Sequence, residues 1–225
     1  MGRNFGRRVD ENQKHQTRRR PLGLRAVGEE NQNQLAPVIA PSAPLEIILS
    51  GNAARFLHVR PARAQVQPPP GHFLTQWRVD PVDDGDGGRW FMVTNLVTLF
   101  TFLLPRQPSS RFDSLVRDFR LRLGFALLAA SPPLEWTPSE VVPVSGNPRA
   151  VVGSMNNMAQ LLAWPRQPGA LTPHEDYEAM LQGTPFSAVG KKGRYGIPNQ
   201  AWLEHLNDLT RSLQSGGRPS TFPES

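Results

Sequence analysis

The sequence lacks cysteine altogether. This absence excludes disulfide bonds, thiolate metal sites and a cysteine nucleophile, and it favours a reducing compartment. Long apolar runs are missing as well, because no segment reaches the roughly 18 consecutive apolar residues that a membrane-spanning helix needs. The first residues, MGRNFGRRVDENQ, also lack the apolar centre of a signal peptide. We therefore expect a cytoplasmic protein without membrane insertion.

Basic charge is concentrated at the amino-terminal end of the chain. The formal net charge is +6, and residues 1–25 hold eight basic and two acidic side chains, whereas residues 65–225 are formally neutral. A segment this polar cannot bury enough apolar surface to offset the entropy lost on ordering, so residues 1–42 are predicted to be a disordered basic arm followed by a Pro-rich linker. Clustered arginines predict contact with nucleic acid or another polyanion through residues 1–25. A solubilising tail, a misassigned start and an unknown protein partner remain alternatives.

Residues 43–215 are predicted to form a single α+β domain, and residues 216–225 a flexible tail. Apolar runs bounded by turn residues predict strands at LEIILS (45–50), at HFLTQWRV (72–79), in a hairpin over 89–105 that turns at Thr94–Asn95, and at 139–144, where Pro143 favours an edge. Helical periodicity and capping residues predict helices after Gly51–Asn52, over 111–130, and from Asn147, Thr172 and Asn199. Without strict alternation, these elements favour a small, mainly antiparallel sheet packed with about four to five helices.

The stretch NPRAVVGSMNNM (147–158) combines an apolar stripe with uncharged polar residues. Its apolar positions recur at helical spacing and predict core packing: Val151, Met155, Met158 and Leu162. Asn156 and Asn157 fall largely on the other flank. Gly153 inside the helix costs about 1 kcal/mol relative to alanine, which predicts the close approach of another backbone or of a ligand.

Two groups of polar side chains are candidate ligand-binding residues. The first group lies on the helix that follows Asn147 and consists of Arg149, Ser154, Asn156 and Asn157. The second lies between glycines in GKKGRYG and consists of Lys191, Lys192 and Arg194. Basic side chains in a glycine-rich loop favour contact with an anion, although a solvated charged turn is the alternative.

The sequence contains no recognisable motif for a metal, a cofactor or a catalytic nucleophile. The five histidines show no HExxH spacing, DDGDGG lacks the glutamate of a calcium-binding loop, and the glycines near Lys191 do not match a phosphate-binding loop. We therefore expect no cofactor and no metal, and the pattern favours a non-catalytic interaction or regulatory domain that binds a polar or anionic partner. The alternative is a small hydrolase or nucleic-acid-processing enzyme whose site is assembled from dispersed polar residues, including His174 and Glu175.

The segment from Asn147 to Asn157 resembles an Asn-Arg-x-Val-Leu-Gly-Ser-Met-Asn-Asp-like motif of an uncharacterised bacterial group, domain-of-unknown-function family 6933. Further stretches occur in a matching order, so the resemblance covers about residues 45–210: LEIILSGNAARFL, the strand around Trp77, TNLVTLFTFLLP and TPFSAVGKKGRYGIP. The chain departs from the family at Asn157, where the family has an acid, at Pro148, and at 50–53, where the family has a Cys-Thr-Lys-Lys-like segment. Because the family has no established activity, the resemblance implies kinship with bacterial proteins and no particular function.

The basic arm leads to a direct prediction. If residues 1–25 contact a polyanion, deleting them will abolish retention on DNA and heparin and will flatten the salt dependence of that retention, because fewer counterions are released. Retention across a salt series measures the effect. Unchanged retention of the truncated chain would refute the assignment of polyanion binding to the arm.

Overall fold

A computed structural model describes residues 44–63, 73–136, 138, 140–163, 174–189 and 195–215, together with the backbone of residues 38–39. The predicted tail over 216–225 lies outside these ranges, and so does the predicted arm and linker over 1–42 except for Val38–Ile39, which form a short strand instead of disordered linker. The strands are β1 (Val38–Ile39), β2 (Leu45–Leu49), β3 (Ala62–Arg63), β4 (Gln76–Asp83), β5 (Arg89–Asn95), β6 (Thr101–Pro105), β7 (Glu135–Trp136) and β8 (Val141–Ser145). The helices are α1 (Gly51–Phe56), α2 (Phe112–Leu127), α3 (Arg149–Ala163), α4 (His174–Gly183) and α5 (Pro198–Gln214).

Six of these strands form one mixed sheet in the order β3-β8-β2-β4-β5-β6. The pairs β3–β8, β8–β2 and β2–β4 are parallel, and the pairs β4–β5 and β5–β6 are antiparallel. The predicted α+β class and the predicted number of helices are confirmed. The sheet, however, is mixed rather than mainly antiparallel, because an apolar run shows that a strand is buried but does not specify its neighbour or its direction.

The sheet separates two apolar cores. On β5, Phe91 and Val93 enter one core and Met92 enters the other, as the alternation of side chains along a strand requires. We call the side of Phe91 and Val93 face A, and the side of Met92 face B. Helices α1, α2 and α5 contribute buried side chains to the face A core, and α3 and α4 to the face B core.

Strand β4 is shifted along the chain relative to the predicted strand at 72–79. Residues Phe73–Thr75 form one turn of 3-10 helix, and the strand continues through Asp83 into the predicted loop. The loop that remains is the β4–β5 turn, where Asp84 accepts a hydrogen bond from the indole N–H of Trp90 at 2.7 Å. The aspartates of DDGDGG therefore belong to a hairpin turn, as the sequence favoured.

Two of the three prolines in the sheet, Pro81 and Pro143, lie where a neighbouring strand is present on one side only, and the third, Pro105, ends the edge strand β6. Pro81 follows Val79, the last residue of β4 that pairs with β2. Pro143 pairs with Ile47, and β3 reaches only the two residues after it. Proline, which cannot donate a hydrogen bond, is tolerated at such positions. The strand with Pro143 is nevertheless not the edge strand that was predicted, because β3 lies outside β8 and pairs with its last two residues.

The predicted helical stripes are confirmed, and the helix starts shift by one or two residues. The buried side chains of α2 include Leu115, Phe119, Leu123 and Leu127, and those of α3 include Val151, Met155, Met158 and Leu162. Ser50, rather than Gly51–Asn52, caps α1 by accepting a hydrogen bond from the Ala53 N–H at 3.2 Å. Helix α5 begins at Pro198, one residue before the predicted cap Asn199, because the fixed φ of proline suits the first helical position. The predicted cap Thr172 lies outside the described residues.

The buried amide of Asn95 organises the turn between β5 and β6. Its Oδ1 accepts hydrogen bonds from the N–H groups of Val97 and Thr98 at 3.1 and 3.0 Å, and its Nδ2 donates to the carbonyl of Phe73 at 2.7 Å. The strand β5 therefore includes Thr94 and Asn95, and the chain reverses over the next five residues (96–100) instead of at Thr94–Asn95 as predicted.

Helix α4 covers the outer edge of the sheet at β6. The Glu178 carboxylate accepts a hydrogen bond from the Leu103 N–H at 2.7 Å and forms an ion pair with Arg122 of α2. The Gln182 side chain donates to the carbonyl of Thr101 at 2.9 Å. Two backbone groups that an edge strand would otherwise expose to another chain are thus occupied by side chains. Burial raises the pKa of Glu178, although the Leu103 N–H and Arg122 act in the opposite direction.

We predict that replacing Glu178 with Gln lowers the free energy of unfolding by about 1–3 kcal/mol near pH 7, because the amide nitrogen of glutamine cannot accept a hydrogen bond and would face one of two donors, the Leu103 N–H or Arg122. Since the folded-state pKa of Glu178 is raised, protonation favours the folded wild type. Its stability advantage over Glu178→Gln should therefore grow as the pH falls from that raised pKa to the ordinary range of a glutamate.

Urea unfolding between about pH 7 and pH 4 measures both effects. The exposed Glu140→Gln is the control and should change neither the stability nor its pH dependence. If the stability advantage of the wild type shrinks as the pH falls, Arg122 and the Leu103 N–H lower the pKa of Glu178 by more than burial raises it.

Candidate binding crevice

Helices α1 and α3 begin at the carboxyl ends of neighbouring parallel strands and then move to opposite faces of the sheet. Leu49, the last residue of β2, pairs with Ser145, the last residue of β8. After β2, α1 packs Ala53 and Ala54 into the core on face A, and after β8, α3 packs Val151 into the core on face B. In open sheets with parallel strands, ligands bind where successive connections diverge in this way. The position of a candidate site therefore follows from the topology.

Four polar residues stand at this divergence, and we call them the crevice residues: Ser50, Ser145, Asn147 and Arg149. The Oγ of Ser50 accepts the capping bond of α1, which leaves its O–H hydrogen for another acceptor. The hydroxyl of Ser145 donates to the carbonyl of Ala62 at 3.1 Å, which leaves its oxygen lone pairs for another donor. Asn147 and Arg149 are exposed. The group offers both donors and acceptors, with one cation.

A buried arginine on face B holds the loop that carries Asn147. Arg78 of β4 is 6% exposed, and its Nη1 donates to the carbonyl of Gly146 at 3.0 Å. The rest of its guanidinium forms a bidentate ion pair with Asp80, with Nε–Oδ2 and Nη2–Oδ1 distances of 2.7 and 3.3 Å. The charge of Arg78 is therefore neutralised inside the protein, and its remaining donor fixes the start of the connection from β8 to α3.

The candidate residues on α3 separate into exposed and buried positions. Arg149, Asn156 and Asn157 are exposed on one side of the helix, and two turns separate Arg149 from Asn157. Ser154 is buried, 7% exposed, and its hydroxyl donates to the Ala150 carbonyl of its own helix at 3.4 Å. Ser154 consequently does not face a ligand from outside, because its position lies on the edge of the apolar stripe. Of the four α3 candidates, only Arg149 lies at the crevice.

The loop candidates Lys191, Lys192 and Arg194 lie outside the described residues, so their assignment to an anion-contacting loop stays a prediction. His174 and Glu175, the residues of the enzyme alternative, adjoin each other at the start of α4, with an Nε2–Oε1 distance of 3.1 Å. The imidazole of His174 stacks on Trp90 with its ring centroid 5.6 Å away. This pair belongs to the hairpin end of β5 and not to the crevice.

Sequence reasoning missed Ser50, Ser145 and Arg78 as site residues, and it predicted Asn147 only as a helix cap. One signal was present, because Arg78 is the only charged residue within HFLTQWRV and interrupts a strand that is otherwise suited to burial. The serines gave no usable signal, since a serine after an apolar run is ordinary at a strand end. Their importance depends on the parallel pairing of β2 and β8, which the sequence alone did not reveal.

Gly153 lies on the exposed side of α3, and a Cβ added there would meet no atom within 4 Å. No described atom approaches it, so the expected close approach of another backbone or of a ligand is not seen among the described residues and stays a prediction. The glycine lies between Arg149 and Asn157 on the polar side of the helix.

We predict that Gly153→Ala raises the free energy of unfolding by about 0.5–1 kcal/mol, because the helix gains propensity without a steric conflict. Gly88→Ala is the contrasting variant, since its Cβ would overlap the Asp84 carboxylate and lie 2.7 Å from the Trp90 indole nitrogen. Thermal or urea unfolding should rank these variants above and below the wild type, respectively. A destabilised Gly153→Ala would mean that α3 is not exposed at this position.

Within the described ranges, no group of three or more histidine, aspartate or glutamate side chains is arranged to hold a metal ion. No described helix combines the length and the apolar character that crossing a bilayer requires. No protein-family model, curated protein or solved structure matches the chain. The function must therefore be inferred from the geometry of the crevice.

Proposed function

We propose that this chain is a non-catalytic binding domain of the cytoplasm that takes a polar or anionic partner at the crevice residues, with the basic arm of residues 1–25 adding attraction to polyanions. The observation that carries the proposal is the divergence of α1 and α3 from the neighbouring carboxyl ends of β2 and β8. That arrangement places the residues that follow two parallel strands at the same edge of the sheet, which is the usual place for binding in such sheets.

The charges around the crevice favour an anion or an anionic group. The Arg78 guanidinium is neutralised by Asp80, whereas the exposed Arg149 contributes an uncompensated positive charge at the start of α3. The amino-terminal end of a helix carries partial positive charge, which also favours an anion. The Ser50 and Asn147 side chains can donate hydrogen bonds to it. Arginine matches carboxylate and phosphate geometry through paired donors. The partner that fits best therefore carries a phosphate or carboxylate group.

The chemistry of the crevice supports binding more than catalysis. Among the described residues there, Asp80 is the carboxylate, and both of its oxygens accept hydrogen bonds from Arg78. General acid–base catalysis needs a group that can exchange a proton with a substrate at an accessible position. In the part of the chain that the structure describes, the side-chain hydrogen bonds of the two serines join backbone groups and not a base that could activate either of them as a nucleophile. The enzyme alternative would have to use His174 and Glu175 at a different place.

The test is a titration of the isotopically labelled full-length chain with inorganic phosphate, observed in amide-resolved NMR spectra. The proposal predicts saturable shifts at the amides of residues 50–52 and 145–149. Arg149→Glu should weaken the fitted affinity by about five- to tenfold, because a favourable charge is replaced by a repulsive one. Arg211→Glu, which reverses an exposed arginine on α5, is the control and should leave the affinity unchanged.

The same titration on a chain without residues 1–25 separates the crevice from the arm. Shifts at residues 145–149 that persist in the truncated chain and disappear in Arg149→Glu would support binding at the crevice. Shifts scattered over every basic side chain, without saturation, would refute the proposal. Turnover of a phosphate ester by the wild type but not by His174→Ala would favour the hydrolase alternative.

A further inference from the structure

Three parallel strands end side by side at the edge of the sheet where the crevice residues stand. Arg63, the last residue of β3, pairs with Ser145, the last residue of β8, and Ser145 pairs with Leu49, the last residue of β2. We call this line of strand ends the carboxyl edge. Neighbouring strands lie about 4.8 Å apart, so the backbone of Arg63 is one strand spacing from Ser145. Arg63 therefore stands beside the crevice residues.

The carboxyl edge has an exposed arginine on elements from each side of the sheet. Paired residues of neighbouring strands direct their side chains to the same side, and Leu49 enters the face A core, so the exposed Arg63 lies on the side of face A. The exposed Arg149 is the first residue of α3, which packs on face B. The ion pairs among the described residues include neither arginine.

The segments that meet at this edge contain no acidic residue. Residues 47–79, which include α1 and β3, hold four arginines and no aspartate or glutamate. Residues 141–173, which include β8 and α3, hold two arginines and again no acid. Because residues 65–225 are formally neutral as a whole, the basic charge of the folded part is concentrated in these two segments.

The acidic side chains on β4 and in the turn after it do not compensate this charge. Each of them accepts a hydrogen bond within the protein: Asp80 from Arg78, Asp83 from Arg106, Asp84 from Trp90 and Asp86 from Tyr177. Strands β8 and β2 also separate β4 from β3. The carboxyl edge is therefore a positively charged surface with two arginines that lack an anionic partner among the described residues.

We propose that the carboxyl edge binds a ligand with two linked phosphate groups, and that Arg63 holds one phosphate while Arg149 holds the other. This inference rests on the proposed function of the crevice and names the class of ligand. An arginine binds a phosphate through paired donors in one plane. Two arginines on opposite sides of the edge can each keep that geometry with a separate phosphate, whereas one phosphate would draw two like charges to the same point. Linked phosphates occur in free diphosphate compounds and in the backbone of nucleic acids.

NMR titrations of the isotopically labelled full-length chain with inorganic phosphate, inorganic pyrophosphate and tetrathymidylate test the proposal. The affinities are fitted to the amide shifts of residues 62–63 and 145–149, because these report on the carboxyl edge and not on the arm. We expect pyrophosphate or tetrathymidylate to bind at least about tenfold more tightly than phosphate. The probe with the larger gain identifies the source of the linked phosphates.

Variants of Arg63 test its assigned role. Arg63→Gln should reduce the gain to about threefold or less and should leave the affinity for inorganic phosphate within about twofold of the wild type. It should also lower the slope of the tetrathymidylate affinity against salt by about one unit, since one phosphate contact is lost. Arg63→Lys keeps the charge without the paired donors and should retain part of the gain. Arg120→Gln, which removes an exposed arginine of α2, is the control and should change none of these quantities.

The proposal is overturned if pyrophosphate and tetrathymidylate bind no more tightly than phosphate, or if Arg63→Gln leaves their gain intact. In both cases inorganic phosphate can still bind at Arg149, so the proposed function of the crevice would stand. A lack of saturable shifts at residues 145–149 with every probe would refute the proposed function together with this inference.

Discussion

The parallel hydrogen bonding of β2 to a strand on each side is the constraint from which the rest of the architecture follows. A strand in that position is buried on both faces, and Leu45, Ile47, Ile48 and Leu49 accordingly form a nearly continuous apolar run. Parallel neighbours cannot be joined by a hairpin, so the chain must leave the sheet after β2 and after β8. The two exits lead to opposite faces, and the polar residues that follow each strand stand at the same edge of the sheet.

The antiparallel part of the sheet ends at β6, whose outer edge has no neighbouring strand. Helix α4 approaches this edge with two polar side chains, and Glu178 and Gln182 occupy an N–H and a carbonyl of β6. The pair that Glu178 forms with Arg122 connects α4 on face B with α2 on face A. A charged bridge around the rim costs desolvation, which is seen in the raised pKa of Glu178. The same ion pair fixes α4 on face B and α2 on face A relative to β6.

The helices and their buried faces could be predicted from the sequence, whereas the pairing of the strands could not. The stripes of α2 and α3 are periodic in the sequence itself, so both helices were predicted with their buried residues. The parallel contact of β2 with β8 joins residues that are about a hundred positions apart in the chain. No propensity near Leu45 or Val141 encodes that contact, since both strands would read the same way in an antiparallel sheet.

The site was only partly predictable for the same reason. Arg149 was identified because it stands in a polar and glycine-containing stretch, and its exposure agrees with a binding role. Ser154 is buried, which helical spacing alone did not decide because it places this residue at the border between the two sides of α3. The serines that flank the crevice become visible only after the strand order is known.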